Sequence, residues 1–159
     1  MTGQEFVGVL RHFGITHVIY LPDSETGQWD ADLASAGSPM LIRPTREGEG
    51  IGIAAGLMLG GAKPLVVMQC TGLFEAGDAL RNVVHDLRLP LILVVGVRSY
   101  LAHQQGQSKD TCPVFTEPIL QAWRLPYHLL GPRSTCEEWQ RALGAMISSG
   151  GAGVILLPE

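Results

Sequence analysis

The sequence predicts an α/β protein: a six-stranded, mostly parallel sheet covered by helices on both faces, a three-layer α/β/α architecture. Three observations carry that reading. Short runs rich in β-branched residues alternate along the chain with longer segments of helical period. Those runs are continuously apolar rather than alternating with polar residues, the pattern of strands buried on both faces. The length of 159 residues also suits one domain, since domains run to roughly 100–200 residues. No linker, repeat or composition shift divides it, so 1–159 reads as a single domain.

The elements follow in order. Thr2 and Glu5 stand at capping-box spacing ahead of Phe6, Val9, Leu10 and Phe13, and Gly14 stops that helix. Residues 17–21 form a β-branched and aromatic strand ended by Pro22. A helix over 28–34 and a short strand over 40–42 come next. Thr45 caps a small-residue helix over 46–60. Residues 64–68 are a continuous apolar strand, and 75–88 form a helix whose Ala76, Leu80, Val83 and Leu87 share one face. Residues 90–95 are another buried strand. The segment 98–114 is polar and aperiodic and reads as a long loop. A helix over 117–123 and a strand over 127–130 follow. Ser134 and Glu137 cap a last helix bearing Trp139, Leu143, Met146 and Ile147, and 154–157 is the final strand.

Composition narrows the function. A net charge of −4 argues against a nucleic-acid binder or a polybasic membrane protein. The longest apolar stretch, 89–97, contains Pro90 and is less than half the roughly 20 residues a membrane helix needs. Glu5 sits early and no long apolar region follows it, so no secretory signal is visible. Cys70, Cys112 and Cys136 are odd in number and lack a C-x-x-C spacing, which fits a reducing, cytoplasmic setting. The histidines show no metal-ligand spacing, so no metal site is expected in this chain. Charged residues are only 16%, against about a quarter in ordinary domains. With 20 glycines, that leaves much small, uncharged surface to account for.

A parallel sheet of this kind binds ligands beyond the carboxyl ends of its strands. The residues placed there are Asp23 and Ser24, then 43–49, 69–75 and 98–110. Gly50-x-Gly52-x-x-Ala55 matches the letters of a dinucleotide-binding turn, but its glycines fall inside a helix and no acid follows at the required distance. Gly50, Gly52, Gly56 and Gly60 read instead as sites of close packing, since each interior glycine costs about 1 kcal/mol against alanine. Cys70 ends a strand ahead of a helix, the place of a nucleophile that His85 or His103 could activate. A small, half-buried apolar thiol is the other reading. Glu47 and Glu49 are two apart, so they point to different faces of their helix. Both gain from its N-terminal dipole. That helix is otherwise small and apolar, so one of the two is expected to be buried where another surface approaches. A carboxyl in so dry a place can hold a proton at neutral pH.

Five segments carry a family resemblance: Leu21-Pro22-Asp23-Ser24, Thr45-Arg46-Glu47-Gly48-Glu49-Gly50, Ile53-Ala54-Ala55-Gly56, Gly60-Gly61-Ala62-Lys63-Pro64, and Val67-Met68-Gln69-x-x-Gly72-Leu73. In this order and at these intervals the chain resembles the pyrimidine-binding domain of thiamine-diphosphate enzymes, above all sulfopyruvate and phosphonopyruvate decarboxylases, over nearly its whole length. The resemblance implies that fold and a decarboxylation of a 2-oxo acid, with carboligation onto a second carbonyl as a variant. It implies that Glu47 is the catalytic glutamate, bonding N1′ of the aminopyrimidine and favouring the imino tautomer that leads to the C2 ylid. It places Gln69, Thr71, Gly72 and Leu73 with Glu47 in a cofactor-binding loop. Asp23 matches an active-site acid after the first strand, and His103 matches a histidine of the long loop.

Departures from the family are informative. Its usual Gln-Asn-Ser-Gly-Leu-Gly-Asn is altered here by Cys70, Thr71, Phe74 and Glu75, and the last two enlarge and acidify the region. Arg98, Arg46 or Lys109 could meet an anionic substrate. The family holds the cofactor's diphosphate through magnesium on a Gly-Asp-Gly motif of its other domain. No Gly-Asp-Gly occurs here, for Gly77-Asp78 is followed by Ala79. The resemblance thus implies half an active site. Expected are a partner subunit carrying the diphosphate-binding domain and its Mg2+, and a hetero-oligomer with pairs of each chain. A non-catalytic binding or regulatory module on the same fold, and a Cys70-dependent hydrolase, are the alternatives.

Overall fold

Six strands pair in parallel throughout, in the order β2-β1-β3-β4-β6-β5. They are β1 (His17–Tyr20), β2 (Met40–Ile42), β3 (Pro64–Gln69), β4 (Ile92–Val97), β5 (Tyr127–Leu129) and β6 (Gly153–Pro158). This computed structural model describes residues 1–23 and 26–159. Every residue of β3, β4 and β6 is buried except Gln69, which is why their sequences are continuously apolar. The two edge strands, β2 and β5, have three residues each, so little backbone is left unpaired at the rims.

Among the described residues eight α-helices pack on the two faces: α1 (Gly3–His12), α2 (Asp30–Ser35), α3 (Glu47–Leu59), α4 (Cys70–Glu75), α5 (Gly77–Arg81), α6 (Tyr100–Gln104), α7 (Cys112–Ala122) and α8 (Cys136–Ser149). Side chains alternate across a strand, so β3 sends Val66 and Met68 into one core and Leu65 and Val67 into the other. The first core is closed by α3, α4, α5 and α7 and holds Ile51, Leu73, Leu80 and Leu120. The second lies under α1, α2 and α8. There Phe6 stacks on Trp29 at 4.1 Å, and Trp139 meets both rings edge-on. The three-layer prediction holds.

Several boundaries move, each for a local reason. Thr2 and Glu5 form their capping box. At α8 the box is Thr135 with Glu138, one residue later than the predicted Ser134 and Glu137. Ser134 is used otherwise, its amide closing a turn onto the Gly131 carbonyl at 2.9 Å. The helix predicted over 75–88 begins at once after β3, as α4, and breaks at Ala76. Beyond α5 it widens into a π turn over Asn82–Asp86. Leu87, past that turn, is 53% exposed, whereas Ala76, Leu80 and Val83 stay buried. The segment 98–114 is not one loop: α6 lies within it, and α7 starts at Cys112. Asp110 accepts the Cys112 amide at 2.9 Å and Pro113 occupies the first turn, so a polar cap starts the helix before any apolar period shows. Among the described residues no helix is long and apolar enough to cross a membrane.

Candidate functional site

The carboxyl ends of β1, β3, β4 and β6 open onto one side of the sheet, and α3 begins beside them. Thr45 does not cap α3; the N-cap is Arg46, in extended conformation, and its side chain makes no capping bond. The Thr45 amide and hydroxyl both donate to the Glu49 carboxylate, each at 2.8 Å. Glu49 is therefore exposed and committed, and the Thr45 amide first, then its hydroxyl, hold its carboxyl below the usual value. Glu47 faces elsewhere. It is half-buried and receives no hydrogen bond from the described residues. Its side chain lies on Gly72 of α4, where a Cβ would overlap Glu47 Cγ and stand only 2.5 Å from Oε1. The sequence left open which glutamate turns toward a second element; it is Glu47.

The Gly48 amide, in the first turn of α3, donates to Glu75 Oε2 at 2.9 Å. The other Glu75 oxygen takes the Arg46 guanidinium, with Nε at 3.0 Å. The Gly48 amide first, and then Arg46, keep the Glu75 carboxyl below its ordinary value. The acidity expected from Glu75 is thus met by Arg46 and a helix N-terminus.

Gln69 to Leu73 are not a loop, as predicted, but the end of β3 and the first turn of α4. The Thr71 hydroxyl donates to Gln69 Oε1 at 3.0 Å. Gln69 is half-buried and Thr71 exposed, while the Leu73 side chain is fully buried in the first core. Asp23 follows β1, and its Oδ1 accepts the Thr26 amide at 2.6 Å and the Thr26 hydroxyl at 2.8 Å. Its Oδ2 lies over Gly96 of β4, in the space a Cβ would take, and Glu159 Oε1 is 2.7 Å from the same point. Two carboxylates therefore converge above one glycine. Glu159 went unremarked in the sequence; the available signals were its place just past the last strand and a lone glycine in an otherwise branched β4. Ser24 lies outside the described residues.

His103 sits on α6 and is half-buried. Its helix is tied to the site by the Leu101 amide, which donates to the Glu159 carbonyl at 3.0 Å. Arg98 is paired with Asp110 at 2.8 Å, so of the three candidate cations only Lys109 has no carboxylate partner among the described residues. Cys70 is no nucleophile. It is fully buried, and burial first, then the neighbouring Cys112 thiol, push its thiol up to about 12. Since the thiolate is the reactive form, such a thiol is inert at neutral pH. His85 is engaged elsewhere, with Nε2 at 2.7 Å from the Trp123 carbonyl. A cavity of about 340 Å3 lies at the opposite pole, among Phe13, Ile15, Met58, Lys63, Pro90 and Ile147. No group of three His, Cys, Asp or Glu side chains able to hold a metal occurs among the described residues.

This is the fold of the pyrimidine-binding domain of thiamine-diphosphate enzymes. The chain superposes on the thiamine diphosphate-dependent 4-hydroxybenzoylformate decarboxylase of Rhodococcus jostii RHA1 with a TM-score of 0.68, over 99% of its own length and 30% of that chain, at 20% identity. A split gene transketolase, described as an inactive beta4 tetramer, matches with the same TM-score over 98% of this chain and 49% of its own, at 16% identity. Those identities speak for the fold alone. In sequence, the chain is similar to sulfopyruvate decarboxylase subunit alpha of Methanococcus maripaludis, at 30% identity over 99 residues, 62% of this chain and 58% of that protein. It is also similar to a sulfopyruvate decarboxylase of Methanosarcina acetivorans, at 31% over 91 residues, 57% of this chain and 23% of that protein. The chain thus spans a little over half of the first relative and about a quarter of the second. No family profile matches it.

Proposed function

We propose that this chain, as one domain over 1–159, is the pyrimidine-binding subunit of a two-chain, thiamine-diphosphate-dependent decarboxylase of a 2-oxo acid. One observation carries the reading: among the described residues, Glu47 is a carboxylate with no hydrogen-bond partner, seated on a glycine of α4 at the ligand-binding end of the sheet. The donor set around it suits an aminopyrimidine. Glu47 offers a carboxyl that no described group bonds, with Gln69 and the Thr71 hydroxyl on the adjoining turn. Thiamine diphosphate, when bound, supplies the carbon nucleophile and the electron sink for loss of carbon dioxide.

The chain's own share is positional and protonic. Glu47 holds a proton at N1′ of the pyrimidine, and Gly72 sets the line along which it reaches. Gln69, Thr71, Gly72 and Leu73 shape the wall beside it. Asp23, just past β1, and His103, on α6, hold or deliver protons at the substrate. Arg46 and Arg98 are each paired with a carboxylate, so a second anionic group on the substrate would find its counter-charge on Lys109 or on the partner. Mg2+ and the diphosphate belong to that partner, which bears the Gly-Asp-Gly motif. The assembly is a cytoplasmic hetero-oligomer with pairs of each chain, and carboligation is the variant outcome.

The experiment is co-purification with such a partner, followed by carbon dioxide release from 2-oxo acids with and without thiamine diphosphate and Mg2+. Glu47→Gln in that complex should lower turnover by about 100-fold or more, the usual scale for a lost acid–base group. Full activity of that variant would refute the assignment.

A further inference from the structure

Helix α3 begins at the very residue on which the proposed chemistry depends, and it begins without a capping side chain. The first four amides of a helix have no partner within it, and the usual remedy, a Ser, Thr, Asp or Asn at the N-cap, is missing because Arg46 stands there. The repair comes from α4. Glu75, its last residue, takes the Gly48 amide at 2.9 Å. Gly72 and Glu75 are three residues apart and so share one face of α4. That face meets the first turn of α3 twice: Gly72 receives the Glu47 side chain, and Glu75 receives the next residue's amide. Position 48 is itself close to this carboxylate, for a Cβ there would lie 3.4 Å from Glu75 Oε2. Arg46 holds the carboxylate from its other oxygen.

We propose that Glu75 is a positioning residue for Glu47: by accepting the Gly48 amide it fixes the first turn of α3 and thereby the direction in which the Glu47 carboxyl points. This rests on the reading of Glu47 given above. Both Glu75 oxygens are taken within the chain, one by the Gly48 amide and the other by Arg46. The effect of Glu75 is expected on turnover rather than on substrate affinity, because a displacement of about 1 Å at a reacting group can cost as much as 100-fold in rate.

The test uses the assembled two-chain complex with thiamine diphosphate and Mg2+ as the probe. Four variants are compared: E47Q, E75A, E75Q and E75D. E75A should lower kcat by about tenfold or more and leave KM for the 2-oxo acid within about twofold. It should also weaken the circular-dichroism band of the bound aminopyrimidine. E75Q keeps an oxygen at the same reach and should recover kcat to within about threefold of wild type, the scale of a neutral for a charged acceptor. E75D keeps the charge but withdraws it by a methylene, and should behave like E75A. Amide hydrogen exchange on the chain without cofactor gives a second readout. The Gly48 amide should exchange at least about tenfold faster in E75A and E75D, and near the wild-type rate in E75Q.

Wild-type kcat in E75A would overturn the proposal, as would E75D outperforming E75Q, which would make charge rather than the amide bond decisive. Unchanged Gly48 exchange in E75A would overturn it as well. If E75A fails to fold, the order of E75Q and E75D decides alone. An inactive E47Q beside a fully active E75A would sink Glu75 and spare Glu47. An active E47Q would sink both.

Discussion

The Glu47 side chain fills the space that a Cβ at Gly72 would need. The obstructing atoms belong to a flexible side chain and not to backbone, so an added methyl would turn Glu47 aside instead of prying α3 from α4. Gly72→Ala should therefore separate function from folding. Alanine gains up to about 1 kcal/mol of helix propensity over glycine, which offsets the repacking, so the melting temperature should move by only a few degrees. Turnover in the two-chain complex should fall by about 100-fold. A fully active Gly72→Ala complex would show that the contact has no bearing on Glu47.

The cysteines should react in a fixed order. Cys70 and Cys112 are buried, and Cys136 is half-exposed at the start of α8. Burial holds the Cys70 thiol far above its ordinary value, which leaves little of the reactive thiolate at pH 8. A thiol reagent at pH 8 should label Cys136 within minutes and the other two only on unfolding. Rapid labelling of Cys70, with loss of a hydrolytic activity, would restore the alternative rejected above.

Acid should loosen the site before the cores. Glu75 is held below its ordinary 4.5, by the Gly48 amide first, and Asp110 below its ordinary 3.8, by the Cys112 amide first. A carboxyl whose folded pKa is depressed contributes stability above the unfolded value and loses it as pH falls through the folded one. The melting temperature should stay level down to about pH 5 and decline below about pH 4. Glu75→Gln should flatten part of that decline. Equal melting at pH 3 and pH 6 would contradict the account.

In the second core, Phe6, Trp29 and Trp139 pack mutually. Phe6→Ala should cost about 3–5 kcal/mol. In urea the midpoint should fall with an unchanged slope. A loss below about 1 kcal/mol would mean that the cluster collapses around the gap.

Legibility in the sequence followed the range of the interactions concerned. The strands were plain because β3, β4 and β6 are buried on both faces, which leaves an unbroken apolar run. Thr2 with Glu5 was plain because a capping box is written within four residues. By spacing and composition alone, Glu47 and Glu49 are indistinguishable. What separates them is a bond from Glu49 to Thr45, four residues back, and a contact from Glu47 to Gly72, on another helix. Helix α6 and the early start of α7 are not legible because 98–114 shows no apolar period; α7 opens on a bond from the Cys112 amide to Asp110, the residue before its N-cap. The convergence of Asp23 and Glu159 depends on sheet order, which brings β1 and β6 to the two sides of β3 and β4. No local pattern records that.

That order also has a consequence for how the chain assembles. Strand β6 comes after β5 in the chain but lies between β4 and β5 in the sheet. During synthesis β5 therefore has no neighbour to join, and the edge of β4 stays bare until residues 153–158 have emerged. The half from β1 to β4 can zip up early; the remainder must wait and then close at once, through contacts distant in sequence, a slow and aggregation-exposed step. Glu159 arrives with that closure, so the convergence over Gly96 forms last.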